Sequence, residues 1–189
     1  MRLLRRQAGW RWPVNGLVTG PIGAGKTTVC QRVVAWAQER GYRVRGVLTP
    51  AILEGGVKTG IAILDIESGA RRSLARLGQE AAGLVVGKYM FDPDVLRWGC
   101  AILERAAQEG GDLLLVDEIG PLELAQGGGF VRALDILAAG VFPRTLTVVR
   151  ETLLGALRRR LPQLQFVEFA VSGGNRQELA GQIVERLWR

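Results

Sequence analysis

Gly20-Pro21-Ile22-Gly23-Ala24-Gly25-Lys26-Thr27 sets glycines at its first and sixth positions and follows them with a lysine and a hydroxyl residue. Glycine tolerates the backbone angles that turn successive N–H groups inward onto one concave surface, and such a surface suits phosphate oxygens. Lys26 adds a point charge within reach of β- and γ-phosphates, and Thr27 a hydroxyl for Mg²⁺. The run has the spacing of a phosphate-binding P-loop. Gly20, Pro21, Ile22, Gly23, Ala24, Gly25, Lys26, Thr27 and Thr28 are therefore candidates for holding a nucleotide. A second motif, Leu113-Leu114-Leu115-Val116-Asp117-Glu118, reads as a buried strand that delivers two carboxylates at its C-terminal edge, where open α/β sheets bind their ligands. Asp117 is expected to hold Mg²⁺ through water, and Glu118 to orient or deprotonate an attacking water. Thr27 and Asp117 offer only hard oxygen donors, which favours Mg²⁺ over zinc.

Three further sites stay open between a bland and a chemical role. Arg150 follows the apolar run Leu146 to Val149, where a group sensing the terminal phosphate is as consistent as a solvated arginine. Asn175 and Arg176 follow Ser172-Gly173-Gly174. This loop is placed to cap the last helix, since Asn175 and Glu178 have capping-box spacing, and as a loop after a sheet strand it is also open to a ligand contact. Lys88-Tyr89 is equally a substrate contact or a surface lysine beside a half-buried tyrosine.

The elements that must position these groups alternate along the chain. Val14 to Thr19 reads as a strand running into the glycine turn, and Val29, Val33, Trp36 and Ala37 recur at helical spacing up to Gly41. Val44 to Leu48 reads as the next strand, completing the strand-helix-strand unit of parallel sheets. Pro50 to Leu77, punctuated by Gly55-Gly56, Gly60 and Ser68-Gly69, predicts β-hairpins inserted on that sheet. A short strand at Val85-Val86, a helix over 94–109, strands over 113–116, 146–149 and 166–171, and helices over 130–139, 152–160 and 176–188 complete the pattern. The expected fold is three-layer α/β, that of P-loop NTPases, in one domain spanning 1–189, with a mainly parallel central sheet and a β-hairpin insert. Lys26 and Asp117 lie far enough apart to admit a further strand and the insert between the two motifs, which predicts the additional-strand division of P-loop proteins.

Composition removes competing chemistries. There is no histidine, so neither a Ser-His-Asp triad nor an imidazole proton shuttle is available. Cys30 and Cys100 are the only cysteines, too few for a zinc ribbon or a disulfide framework, and two buried, reduced thiols are expected. The basic stretch Met1 to Trp12 lacks the apolar core of a signal peptide, and no run of 18 apolar residues occurs, so a cytoplasmic protein without a membrane partner is expected. The net charge of +7 makes a polyanion conceivable. Yet the arginines are spread along the chain, and Arg158-Arg159-Arg160 suits a helix C-terminus, so a solvated face is favoured over nucleic acid. Monomer and oligomer are both compatible with these features.

The run Thr19 to Thr28, with Gly46-Val47-Leu48-Thr49-Pro50 and Glu54-Gly55-Gly56, resembles the THEP-type (cancer-related) nucleoside triphosphatases. So do Val86-Gly87-Lys88-Tyr89, Asp117-Glu118-Ile119-Gly120 with Leu122-Glu123-Leu124, and Asn175-Arg176, in family order over nearly the whole chain. The resemblance implies Mg²⁺-dependent hydrolysis of nucleoside triphosphates to diphosphate and phosphate with loose base preference. It also sets the 175–176 loop beside the base. Ala51, Leu53 and Val57 stand where the family pattern carries charged groups, and Pro121-Leu122 replaces its Lys-Met, so this is a divergent member. A small-molecule kinase, which needs an acceptor pocket and a lid for which Arg71, Arg72 and Arg76 are the candidates, and a nucleotide-gated adapter of cofactor assembly are the alternatives. Because Lys26 is the one cation of the phosphate-loop sequence, Lys26→Ala is expected to nearly abolish ATP and GTP binding by calorimetry while leaving the circular dichroism spectrum unchanged.

Overall fold

The computed structural model describes residues 13–78 and 84–189. The expectations for Met1 to Trp12 lie outside the described residues. β1 (Val14–Thr19) runs into the glycine turn, α1 (Lys26–Glu39) begins at the lysine, and Gly41 takes a left-handed φ of 76° where the helix stops. β2 (Val44–Leu48) follows with the predicted bounds. The insert is the expected set of antiparallel strands, β3 (Ala51–Glu54), β4 (Val57–Asp65) and β5 (Arg71–Leu77). β6 (Leu84–Val86) and β7 (Tyr89–Phe91) extend it. β7 was not expected, because three residues are too few to show a period. α2 (Pro93–Glu109) starts one residue before the predicted helix, since the Asp92 carboxylate accepts from the N–H groups of Asp94 and Val95 at 2.8 and 3.2 Å and caps it.

β8 (Leu113–Ile119) is three residues longer than its apolar run and contains both carboxylates. Behind it, α3 (Pro121–Ala125) is a short helix whose glycine N-cap carries no sequence signal, and α4 (Arg132–Ala139) follows. β9 (Arg144–Val149), a single 3₁₀ turn over 151–153, α5 (Leu154–Arg160), β10 (Phe166–Ala170) and α6 (Leu179–Trp188) complete the chain. Arg158, Arg159 and Arg160 end α5 as expected. α6 starts three residues later than predicted, because 173–178 are spent in turns.

Among the described residues one sheet is formed, in the order β10-β1-β9-β8-β2-β4-β5-β7-β6, with β3 pairing β4. β10, β1, β9, β8 and β2 are mutually parallel, and the insert joins antiparallel through β2 and β4. β9 is the additional strand, lying between the phosphate-loop strand β1 and the carboxylate strand β8. Alternate residues of the parallel strands feed two cores. One holds Leu114, Val116 and Val149 against Leu103 of α2 and Leu134 of α4, and the other holds Val18, Leu115 and Val148 against Val33 of α1 and Ile183 of α6. A parallel sheet covered on both faces is the three-layer arrangement expected. No described helix is long and apolar enough to cross a membrane. Cys30 is buried, whereas Cys100 is only half-buried and donates its Sγ hydrogen to the Gly129 carbonyl at 3.2 Å, so one of the two expected buried thiols is partly open.

The arginines considered as a lid lie in β5. Arg76 pairs with Glu54 at 2.8 Å and Arg72 stacks on Trp98 with its guanidinium 4.4 Å from the ring centroid, so both are fixed on the sheet. Gly46 is the tightest point of the fold. Its φ is 112°, and a Cβ there would lie 1.9 Å from the Leu115 carbonyl oxygen on the neighbouring strand. Gly46→Ala therefore must part β2 from β8 or be refused, and a destabilisation of about 3 kcal/mol or more is expected in urea denaturation.

Candidate functional site

The glycine turn lies at the C-terminal edge of β1, and its backbone shows why the sequence uses glycine there. Gly20 has φ 138° with a would-be Cβ 2.6 Å from the Val171 carbonyl oxygen, and Gly25 caps α1 in a left-handed conformation at φ 98°. Lys26 curls into the loop, its Nζ donating to the carbonyls of Gly20 and Pro21 at 2.8 and 2.7 Å. Partial burial lowers its pKa, while Glu118 and then Asp117 act in the opposite sense and Arg150 adds to the lowering. The same four charged groups that the sequence singled out thus sit within each other's field. The Thr27 side chain lies near the Asp117 carboxylate and favours its charged form. Ile22, at the loop tip, is 77% exposed, as is natural for a residue that contributes backbone rather than side chain.

Asp117 is buried at the end of β8, and its Oδ2 accepts the Thr49 N–H at 2.9 Å. Thr49 was not among the expected site residues. Its signal in the sequence is its place directly after β2, the strand beside β8. Burial pushes the Asp117 carboxyl up to about 6 from its ordinary 3.8, against the lowering effect of the Thr49 N–H, with Glu118 adding to the rise.

Glu118 carries the strongest conformational signature. It is the only described non-glycine residue with positive φ, at 73°. The β8–β9 register explains it. Val116 pairs with Thr147 and Ile119 with Val149, so β8 uses three steps where β9 uses two. The extra residue is a β-bulge, and it re-aims a carboxylate that regular pleating would direct away from its neighbour's side. The Glu118 side chain is half-buried and accepts from Arg150 at 2.5 Å. The bulge has no signature in the sequence.

Glu123 is the second residue that sequence reasoning missed as a working part. Its buried carboxylate accepts the N–H of Gly120 through one oxygen and of Phe130 through the other, both at 2.7 Å, and so ties α3 to the chain leaving β8. Burial raises its pKa, partly offset by these hydrogen bonds. Asn175 does not cap α6. Its side chain accepts from Ser172 N and donates to Ala170 O, both at 2.8 Å, closing its own loop, because α6 begins beyond Glu178. Arg176 is exposed and lies against the phosphate loop, its Cδ 3.5 Å from where a Cβ of Gly25 would stand. Arg32 of α1 holds this loop through the carbonyls of residues 176 and 177. Lys88 is exposed in the β6–β7 turn and Tyr89 half-buried, with Lys58 and Lys88 ammonium groups 5.4 and 5.7 Å from its ring centroid.

Thr27 and Asp117 supply one hydroxyl and one carboxylate, and no cluster of three acidic or sulfur ligands occurs among the described residues. That donor set is too sparse for a protein-only metal cage. It fits a hard cation that keeps waters and shares its remaining ligands with phosphate oxygens.

A phosphate loop at the edge of a parallel sheet, an additional strand, and an Asp-Glu pair facing the loop lysine define a P-loop nucleoside triphosphatase. The chain belongs to the NTPase family whose model matches residues 15–184. It is 38% identical over 178 residues to the nucleoside-triphosphatase THEP1 of Methanopyrus kandleri, covering 93% of this chain and 96% of that protein. It is 31% identical over 174 residues to that of Archaeoglobus fulgidus, covering 90% and 96%. The solution structure of a human cancer-related nucleoside triphosphatase superposes with a TM-score of 0.72 at 26% identity, over 92% of this chain and 97% of that one.

The raised Asp117 pKa makes a prediction for the metal-free protein. The folded state binds a proton more readily than the unfolded state between pH about 4 and 6, so this residue's contribution is full below 3.8 and is lost as pH rises through about 6. Wild type is therefore expected to lose about 3 kcal/mol relative to Asp117→Asn across that window, read from thermal or urea unfolding in chelator.

Proposed function

We propose that this protein hydrolyses nucleoside triphosphates to diphosphate and phosphate in a Mg²⁺-dependent reaction with loose base preference. The observation that carries the proposal is the convergence of Lys26, the Thr27–Asp117 pair and the Glu118–Arg150 pair at one edge of the sheet. The backbone N–H groups of the loop from Gly20 to Thr28, all but Pro21 carrying one, bind the phosphates, Lys26 neutralises the β- and γ-oxygens, and Thr27 and, through water, Asp117 would hold Mg²⁺. When bound, the ion supplies further charge neutralisation on the phosphate oxygens. Asn175 and Arg176 flank the base side, which the position of Arg176 against Gly25 supports. The half-open thiol at Cys100 and the second thiol at Cys30 support a reducing, cytoplasmic setting.

Glu118 accepts the proton of the attacking water, and Arg150 governs when it does so. In the arrangement described, the guanidinium neutralises the Glu118 carboxylate. A terminal phosphate brings a competing anion to Arg150 and frees a Glu118 oxygen to orient water. Arg150 thus couples proton acceptance to the presence of substrate and then stabilises charge on the transferring group.

Single-turnover hydrolysis of ATP and GTP at saturating Mg²⁺ tests this. Glu118→Gln retains the shape and a hydrogen-bond acceptor for Arg150 but loses the base, so turnover is expected to fall about 10²-fold or more with nucleotide affinity nearly unchanged. A mutant that hydrolyses at the wild-type rate removes Glu118 from the mechanism and favours the adapter alternative.

A further inference from the structure

Beside Glu118 the fold leaves a cavity of about 50 Å³. Its walls are Ile61 and Leu74 from the insert, Phe91 from β7, Leu96 from α2, and Leu122 and Phe130 from the chain following β8. Protein cores are normally packed without such space, and a cavity lined by aliphatic and aromatic groups does not hold water well. Hydrolysis alone has no use for it, since a water molecule needs only the polar position between Glu118 and the phosphate. Few polar side chains line the cavity, and three of them belong to the site described above. Glu118, Arg150 and Thr49 border it, while the one other carboxylate, Glu123, has its oxygens engaged by Gly120 and Phe130.

An apolar well with a proton-accepting carboxylate in its wall fits a molecule with an apolar body and a hydroxyl head. At about 10–15 Å³ of accessible space per water-sized group, the cavity takes roughly three to five carbons. We propose that this cavity is an acceptor site for a small aliphatic alcohol, and that the protein transfers the γ-phosphoryl group to it in competition with water. The inference rests on the assignment of Glu118 as the group that faces the nucleophile. In the step, the alcohol oxygen forms a bond to the γ-phosphorus, and the bond from that phosphorus to the β,γ-bridging oxygen breaks. Its electron pair leaves with the nucleoside diphosphate, and the hydroxyl proton passes to Glu118. The products are an alkyl phosphate, a nucleoside diphosphate and a proton. The insert has a role on this account, since it forms one wall of the acceptor well.

The test follows radiolabelled γ-phosphate of ATP in 1-butanol and, as a control too short to fill the well, methanol. Separating inorganic phosphate from alkyl phosphate measures hydrolysis and transfer independently. Butyl phosphate is expected to form with saturation in butanol and at least tenfold above the yield set by the butanol-to-water ratio. Methyl phosphate is expected to stay at that ratio. Val86→Phe, which fills the well from its half-buried β6 side, and Leu96→Phe, which fills it from α2, are expected to cut butyl phosphate at least tenfold while alcohol-free phosphate release stays within twofold. Hydrolysis with no butyl phosphate above the solvent ratio, or transfer that both filled variants leave intact, overturns the proposal. Methyl NMR titration with butanol reads occupancy without turnover. Saturable shifts at Ile61, Leu74, Leu96 and Leu122 support the site, and their absence overturns it, even if hydrolysis itself fails and the assignment of Glu118 falls separately.

Discussion

The backbone bulge at Asp117–Glu118 is the constraint on which the site depends. Successive residues of a regular strand face opposite helix layers, so two adjacent carboxylates in β8 would ordinarily be separated by the sheet itself. One extra residue against β9 and a left-handed backbone at Glu118 bring both within the field of Lys26. A non-glycine residue held in that region costs about 1–3 kcal/mol, and it persists only where the surroundings fix it. Those surroundings are visible. Thr49 N–H holds Asp117 on one side, Arg150 holds the Glu118 side chain on the other, and Glu123 pins the chain just beyond through Gly120.

Electrostatics divide the labour between the two carboxylates. Asp117 is buried and reluctant to ionise, a state that a cation reverses most readily. Glu118 is half-buried beside a guanidinium and accessible to solvent. One group is therefore suited to holding a metal and the other to handling a proton, although they are neighbours in the chain. Lys26 is placed by its own loop. Two carbonyl oxygens of that loop hold the ammonium within it.

Much of this was legible in the sequence because the signals are local. The glycine spacing before Lys26 and the apolar run before Asp117 each report a strand end, and β1, β2 and the parallel order followed from them. The additional-strand arrangement was expected, but the strand that fills it, β9, follows both motifs in the chain, so the distance between them does not locate it. What the sequence hid depends on contacts between distant segments. The bulge arises from how β8 registers on β9, Thr49 matters only because β2 adjoins β8, and Glu123 is given meaning by backbone groups at 120 and 130. Asn175 carried a helix-cap pattern that the chain did not use, since its side chain is engaged by the loop's own backbone before α6 begins.

The seam between the two parts of the sheet is narrow. Among the described residues the ladder between β4 of the insert and β2 has two residue pairs, Val47 with Asp65 and Leu48 with Leu64, whereas β1, β8 and β9 are joined along most of their length, and Ile61, Ile63 and Leu74 of the insert share a core with Leu114 and Val116. The apolar wall beside the phosphate site thus draws on both parts, with Ile61 and Leu74 from the insert and Leu122 and Phe130 from the chain following β8. Ala51, Leu53 and Val57 lie in the outer sheet, apart from β8, which carries Glu118, and from α1, which carries Lys26. Such a partition lets evolution vary what is brought to the phosphate while the machinery that cleaves it stays constant.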